Sequence, residues 1–217
     1  MGRARWSVLP PRPIPWSMKP FSSARTWESI LPDGRVELRI DHDVIHGVTP
    51  QMLVWWFRNI EGKMELGGKT YPRYLVWHPI DHIHYKVETR LPDGSVGAGS
   101  RFHIVEAFGG DLRYLVDRVL HVRRLDETEI VLEVPALGRA GMRLHGQFGP
   151  VAGGTQLNTT MTVGLAAWIG RAGLNRLVRE RIFPAGMRAA WLKHNVEEWG
   201  NIEFFLPDLY QRPVPSG

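Results

Sequence analysis

Between Gly99 and Gly164 the chain runs in strand-length segments, and from Leu165 onward its period becomes that of a helix. "GSRFHIVEAF", "DLRYLVDRVLHVRRL", "EIVLEVPA", "MRLHGQF" and "GTQLNTTMTVG" are rich in β-branched or aromatic residues. Gly, Asp or Pro turns divide them at close to regular spacing, which predicts an antiparallel meander. "LAAWIGRAGLNRLVRERIF" and, after a break at Pro184, "AGMRAAWLKHNVEEWGNIEFFL" then read as helix, with Pro207 as its end. Upstream, "RVELRI" (35–40) alternates as a strand. Thr49 and Pro50 supply the N-cap and first position of a helix with apolar residues on more than one side. "KTYPRYLVWHP" and "DHIHYKVETR" read as extended. This order predicts an α+β fold with helices against one face of a curved sheet. A sheet around a long helix leaves a cavity between them, where small ligands sit.

The 217 residues suffice for one domain and one hydrophobic core. There is no cysteine, so any metal must be held by His, Asp and Glu. No stretch has the ~18–20 apolar residues of a membrane span. Nor does an apolar h-region follow the N-terminal arginines, so a cytoplasmic protein is expected. The net charge of +5 is concentrated at one end. Residues 1–25 hold Arg3, Arg5, Arg12, Lys19 and Arg25 with no acid, and five of the 16 prolines. Without those five bases, 22 basic residues face 22 acidic ones. The body is therefore neutral, which argues against nucleic acid as partner. Residues 1–25 read as an irregular Pro/Arg-rich arm, expected to be solvated rather than to wrap the body or touch a partner. Residues 26–217 read as a single domain.

Three stretches carry candidate chemistry. In "WLKHNVEEWGNIEFF" (191–205), His194 and Glu198 are four apart and share a helix face, as a ligand pair requires. The Trp, Ile and Phe residues around them imply burial, where a His and a carboxylate need partners. In "WHPIDHIHYK" (77–86), alternation places His78, His82 and His84 on one face, Asp81 and Tyr85 on the other. Spacing does not choose among the histidines. In "RFHIVEAFGG" (101–110), Glu106 shares a face with Phe102 and Ile104, an inward carboxylate if that face lines the cavity. Tyr74, eight residues before His82, is expected on the same strand face, and His145 of "MRLHGQF" is a further candidate for proton transfer.

From about residue 47 to 211 the chain resembles the 2,4-diacetylphloroglucinol hydrolase family, which includes phloretin-hydrolase-like enzymes. The resemblance rests on "TPQMLVWWF" (49–57), "RYLVWHPIDH" (73–82), the Glu of "HIVEAFGG" (103–110) and "HNVEEWGNIEFFLPDLY" (194–210). It implies a helix-grip, Bet v 1-like fold and zinc-dependent hydrolysis of a carbon–carbon bond between an acyl group and a polyhydroxylated ring. It implies zinc on His82, Glu106, His194 and Glu198, with Tyr74 and His145 touching the substrate. His78 is not a ligand position there. Tyr85 stands where the family has an amide side chain, and Met161 lies near where it has a second tyrosine. The expected partner is a small acylphenol or β-diketone-type ketone, and a homodimer is expected. The competing expectation is a non-catalytic protein that binds a hydrophobic or aromatic small molecule in the grip cavity.

Overall fold

Buried and exposed side chains alternate along the strands. In Val36–Asp41, for example, Val36, Leu38 and Ile40 point inward. The computed structural model describes residues 6–166 and 173–211; Arg3, Arg5 and the helical stretch around Trp168 lie outside the described residues. In chain order the elements begin with β1 (Arg25–Ile30), β2 (Val36–Asp41), β3 (Ile45–His46) and α1 (Pro50–Asn59). A separate hairpin follows, β4 (Lys63–Leu66) and β5 (Lys69–Pro72), then α2 (Arg73–Trp77). Next come β6 (His82–Thr89), β7 (Arg101–Ala107), β8 (Leu115–Leu125), β9 (Glu129–Ala136), β10 (Arg139–Val151) and β11 (Gly154–Val163). The chain ends on α3 (Asn175–Leu177), a π-type turn at Val178–Ile182, α4 (Ala185–Asn201) and α5 (Leu206–Gln211).

The large sheet is ordered β1-β2-β11-β10-β9-β8-β7-β6, with β3 beside β11. All its pairings are antiparallel. The early β1–β2 hairpin thus joins the last strand of the meander, and α4 lies in the concavity. Met187, Trp191, Leu192 and Val196 of α4 pack on Val36, Leu38 and Ile40 of β2. Trp199 joins α1 and the far strands in a second cluster. This is the helix-grip, Bet v 1-like architecture. Among the described residues no helix is long and apolar enough to cross a membrane.

Four local expectations are corrected. Residues 73–77 form α2 instead of extending the strand, so Tyr74 does not share a strand with His82. β6 carries a bulge at its start: His82 opposes Glu106, yet Tyr85 opposes Ile104. The extra residue puts His82 and Tyr85 on one face and turns His84 away, reversing the alternation expected from spacing. Helix α4 ends at Asn201, and Pro207 sits in the first turn of α5, where a missing N–H costs nothing. Finally, the arm from Trp6 is not solvated along its length. Trp6 stacks on His84 at 5.1 Å, Ile14 and Trp16 pack on the main core, and Arg12 is buried.

Candidate metal centre

Three elements bring four donors to one point. The β6–β7 register sets His82 directly opposite Glu106. Helix α4 presents His194 and Glu198 one turn apart, facing that pair. His82 Nε2 lies 3.5 Å from Glu106 Oε1 and 3.6 Å from Glu198 Oε2. His194 Nε2 lies 3.6 Å from Glu198 Oε2 and 3.9 Å from Glu106 Oε2. A tetrahedral zinc with bonds of about 2.0–2.2 Å has ligand–ligand edges of roughly 3.3–3.6 Å by geometry. These four spacings are within a few tenths of an ångström of such edges, and His82, Glu106 and His194 each bring a ligand atom within 4.8 Å of the other two.

The proton positions point the same way. His82 Nδ1 lies 2.7 Å from the Tyr74 carbonyl, and His194 Nδ1 lies 3.0 Å from Asp81 Oδ2. Both contacts are to acceptors, so each ring donates from Nδ1 and turns an Nε2 lone pair toward the carboxylates. The buried Nε2 of His82 has no hydrogen-bond partner. Two lone pairs and two carboxylates therefore converge, and the donors that reach the carboxylates, Tyr74 and Asn195, engage only their Oε1 atoms. Such a set needs either a cation or protons. Burial pushes the Glu106 carboxyl up to about 7 and Glu198 well above its ordinary range. Burial also lowers His82, and lowers His194 well below its usual value. A divalent ion satisfies all four groups at once, and an N₂O₂ set of this kind suits zinc.

The surrounding contacts orient the donors. Asp81 accepts from His194 Nδ1 with one oxygen and from the Gly110 N–H, at 3.0 Å, with the other. Asn195 Nδ2 donates to Glu198 Oε1 at 2.7 Å, and Trp77 Nε1 donates to the Glu198 carbonyl at 2.7 Å. The Tyr74 hydroxyl donates to Glu106 Oε1, and its ring stacks on His82 at 3.8 Å with only 4° between the planes. Burial, then the neighbouring carboxylates, raise the Tyr74 phenol well above its ordinary range, so it stays protonated. Sequence reasoning missed the roles of Asp81 and Asn195. Asp81 lies in the turn between α2 and β6, where strand alternation does not apply, and nothing in the sequence marks Asn195 beyond its place between the two α4 donors.

The centre forms one wall of a cavity of about 430 Å³ between sheet and helix. Its lining is mainly apolar, with Phe57, Trp77, Phe102, Phe108 and Trp191 among the larger side chains. Tyr74, Tyr85, Glu106, His194 and Glu198 also line it, as does Met161. His145 is not brought to this group. It is absent from the lining, which takes Met142 and Leu144 from the same strand, and it bonds to Glu129. Strand alternation accounts for this, because Leu144 faces the cavity and its neighbour faces away.

No family model matches the chain, and no curated protein matches it. Among solved structures it is similar to the KanY protein (ms6282), at 10% identity and a TM-score of 0.49 over 88% of this chain and 99% of that one. Ara h 8.0201 aligns at 11% identity and a TM-score of 0.46, covering 85% of this chain and 99% of that one. A START superfamily protein from Mycobacterium smegmatis aligns at 12% identity and 0.40, covering 80% and 97%. Likenesses of this size assign no functional residue.

Proposed function

We propose that this chain is a metal-dependent hydrolase, of the kind the 2,4-diacetylphloroglucinol hydrolase resemblance implies, acting on an acylphenol or β-diketone-type ketone. The observation that supports it is the convergence of two imidazole lone pairs and two buried carboxylates on the wall of an apolar cavity. A carrier of apolar ligands has no use for such a set. His82, Glu106, His194 and Glu198 would hold the ion. Bound there, a divalent zinc-like ion supplies electrophilic polarisation of a carbonyl or a water of lowered pKa.

The remaining work falls to the chain's own groups. Apolar walls bind the ring and exclude bulk water. The overall change is addition of water across the acyl–carbon bond: hydroxyl goes to the acyl carbon and a proton to the ring carbon. Tyr74, a protonated phenol bonded to Glu106, is the group placed to supply a proton at that end of the cavity. His145 has no part in this scheme.

A second reading is supported by the size and apolar lining of the cavity: a protein that binds a small hydrophobic molecule without transforming it. Metal content by elemental analysis separates the two. About one zinc per chain is expected for the native protein and none for a His194→Ala, Glu198→Ala double variant. Acylphenols and β-diketones are then screened for release of a carboxylic acid. A native chain that takes up no metal when zinc is supplied favours the binding reading.

A further inference from the structure

The four donors lie on segments far apart in sequence: His82 and Glu106 on β6 and β7, His194 and Glu198 on α4. Coordination tolerates errors of only about 0.5 Å, so something must fix the α2–β6 segment against α4. One direct tie is Asn201, buried one turn beyond Glu198. Its Nδ2 donates to the Val76 and Trp77 carbonyls at 2.9 and 2.8 Å. The N-terminal arm lies across this same junction. Trp16 Nε1 donates to Asn201 Oδ1, and the Trp16 ring stacks on Phe204 at 5.8 Å. Arg12 donates twice to the Pro79 carbonyl, from its backbone N and from Nη2, each at 3.1 Å. Pro79 lies three residues before His82 and two before Asp81. Lys19 continues the run: its ammonium is 2.8 Å from Glu203, and its stem fills the space that a Cβ on Gly200 would need.

We propose that the arm is a positioning strap for the donor set, in which Arg12 and Trp16 hold the Val76–Asp81 segment against the C-terminal half of α4 and so keep His82 within coordination distance of His194 and Glu198. This rests on the reading of those four residues as metal ligands. The composition of the arm suits the task. Pro10, Pro11, Pro13 and Pro15 restrict the free chain, so ordering it costs less entropy than ordering an ordinary tail. Arg12 is only 9% exposed, a costly place for a guanidinium unless its bonds matter. The role is indirect: neither residue touches the donors' coordinating atoms.

The test uses the full-length chain, an Arg12→Ala, Trp16→Ala double variant and a variant lacking residues 1–17. Zinc affinity is measured by chelator competition. The visible spectrum of the cobalt(II)-loaded protein is recorded at saturation. Both arm variants are expected to bind zinc about 10- to 100-fold more weakly, the range seen when groups supporting a ligand are lost. Their cobalt bands are expected to shift, because ligand geometry changes even when the site is full. A single Arg12→Ala variant is measured beside Arg12→Lys, which can still donate to Pro79 from its side chain and is expected to recover most of the affinity that Arg12→Ala loses. Val122→Ala, buried on β8 and outside the cavity lining, controls for stability: it should lower the melting temperature and leave affinity and spectrum alone. Native affinity with an unchanged spectrum in the arm variants overturns the strap. So does an equal loss of affinity in Val122→Ala. A native chain that binds neither zinc nor cobalt overturns the ligand reading itself, and the strap falls with it.

Discussion

His78 and His82 stand four residues apart, both buried and each with an Nε2 that has no hydrogen-bond partner, yet their Nδ1 atoms are bonded in opposite senses; His78 also falls in a second candidate metal group, with Asp81 and His194. His78 Nδ1 accepts from the Asp81 backbone N–H at 3.1 Å, so the ring proton must sit on its Nε2. Its Nε2 lies 3.4 Å from Glu197 Oε2 without forming a hydrogen bond, and burial lowers the His78 pKa to about 4, keeping the ring neutral. His82 has the opposite arrangement, a proton on Nδ1 and a lone pair on Nε2. Spacing in the sequence leaves the two equivalent; the backbone amide of Asp81 separates them. Asp81 also accepts the His194 proton, which fixes that tautomer and makes the imidazole a better donor. Asp81→Asn is therefore expected to weaken zinc binding about 10- to 100-fold. Chelator competition measures this, and an affinity within twofold of native would show that Asp81 only fills space. At this scale the sequence displayed the donors but not their protons. His194 and Glu198 were legible as a helical pair and Glu106 as an inward carboxylate, because one period governs each element. The bulge after His82 shifts the period of β6 and puts Tyr85 on the unexpected side, whereas Asp81 lies in the turn before the strand, where alternation does not apply.

Elements with a strong local signal were the easiest to read. Thr49 caps α1 as expected, its hydroxyl accepting from the Met52 N–H at 3.3 Å, with Pro50 at the first helical position. Thr49→Ala should cost about 1 kcal/mol of stability, the usual worth of such a cap. Urea unfolding checks this. The midpoint should fall with the slope unchanged, and an unmoved midpoint would mean that tertiary packing alone sets the end of α1. Helix α2 lacked any such signal. Five residues, Arg-Tyr-Leu-Val-Trp, are too few for a period and too rich in β-formers to suggest a helix. Tertiary contacts decide its form: Tyr74, Val76 and Trp77 all enter the main core, and Arg73 bonds to the Lys63 and Asn59 carbonyls. That helix nevertheless places Tyr74 on the face of His82, a result the extended reading reached for the wrong reason. At the other end, Pro207 shows that a proline can open a helix as well as close one.

At the scale of the whole molecule the sheet must hold α4 in register with β2, and His42 sits at that joint. It follows directly on β2; its Nε2 is 3.0 Å from Thr159 Oγ1 on β11, and its ring meets Trp199 of α4 edge-on at 6.4 Å. Burial lowers its pKa to about 3, with Asn195 opposing the shift and the Lys19 charge adding to it. The unfolded chain protonates this residue near 6.5, whereas the folded chain resists protonation until about 3. The stability that this neutral ring contributes is present in full above the unfolded value. It is lost progressively as pH falls toward the folded one. The slope from one such group approaches about 1.4 kcal/mol per pH unit. Unfolding in urea at pH 7, 6, 5 and 4.5, with a chelator present, gives the native acid slope. His42→Gln should fold with some loss at neutral pH, and its slope below 6.5 should be shallower by up to one proton. Because His78, His82 and His194 titrate alike in both proteins, the difference between the two slopes isolates His42. Parallel slopes would mean that the buried joint admits water and protonates in the folded state. In that case α4 would be held to the sheet by its apolar contacts alone.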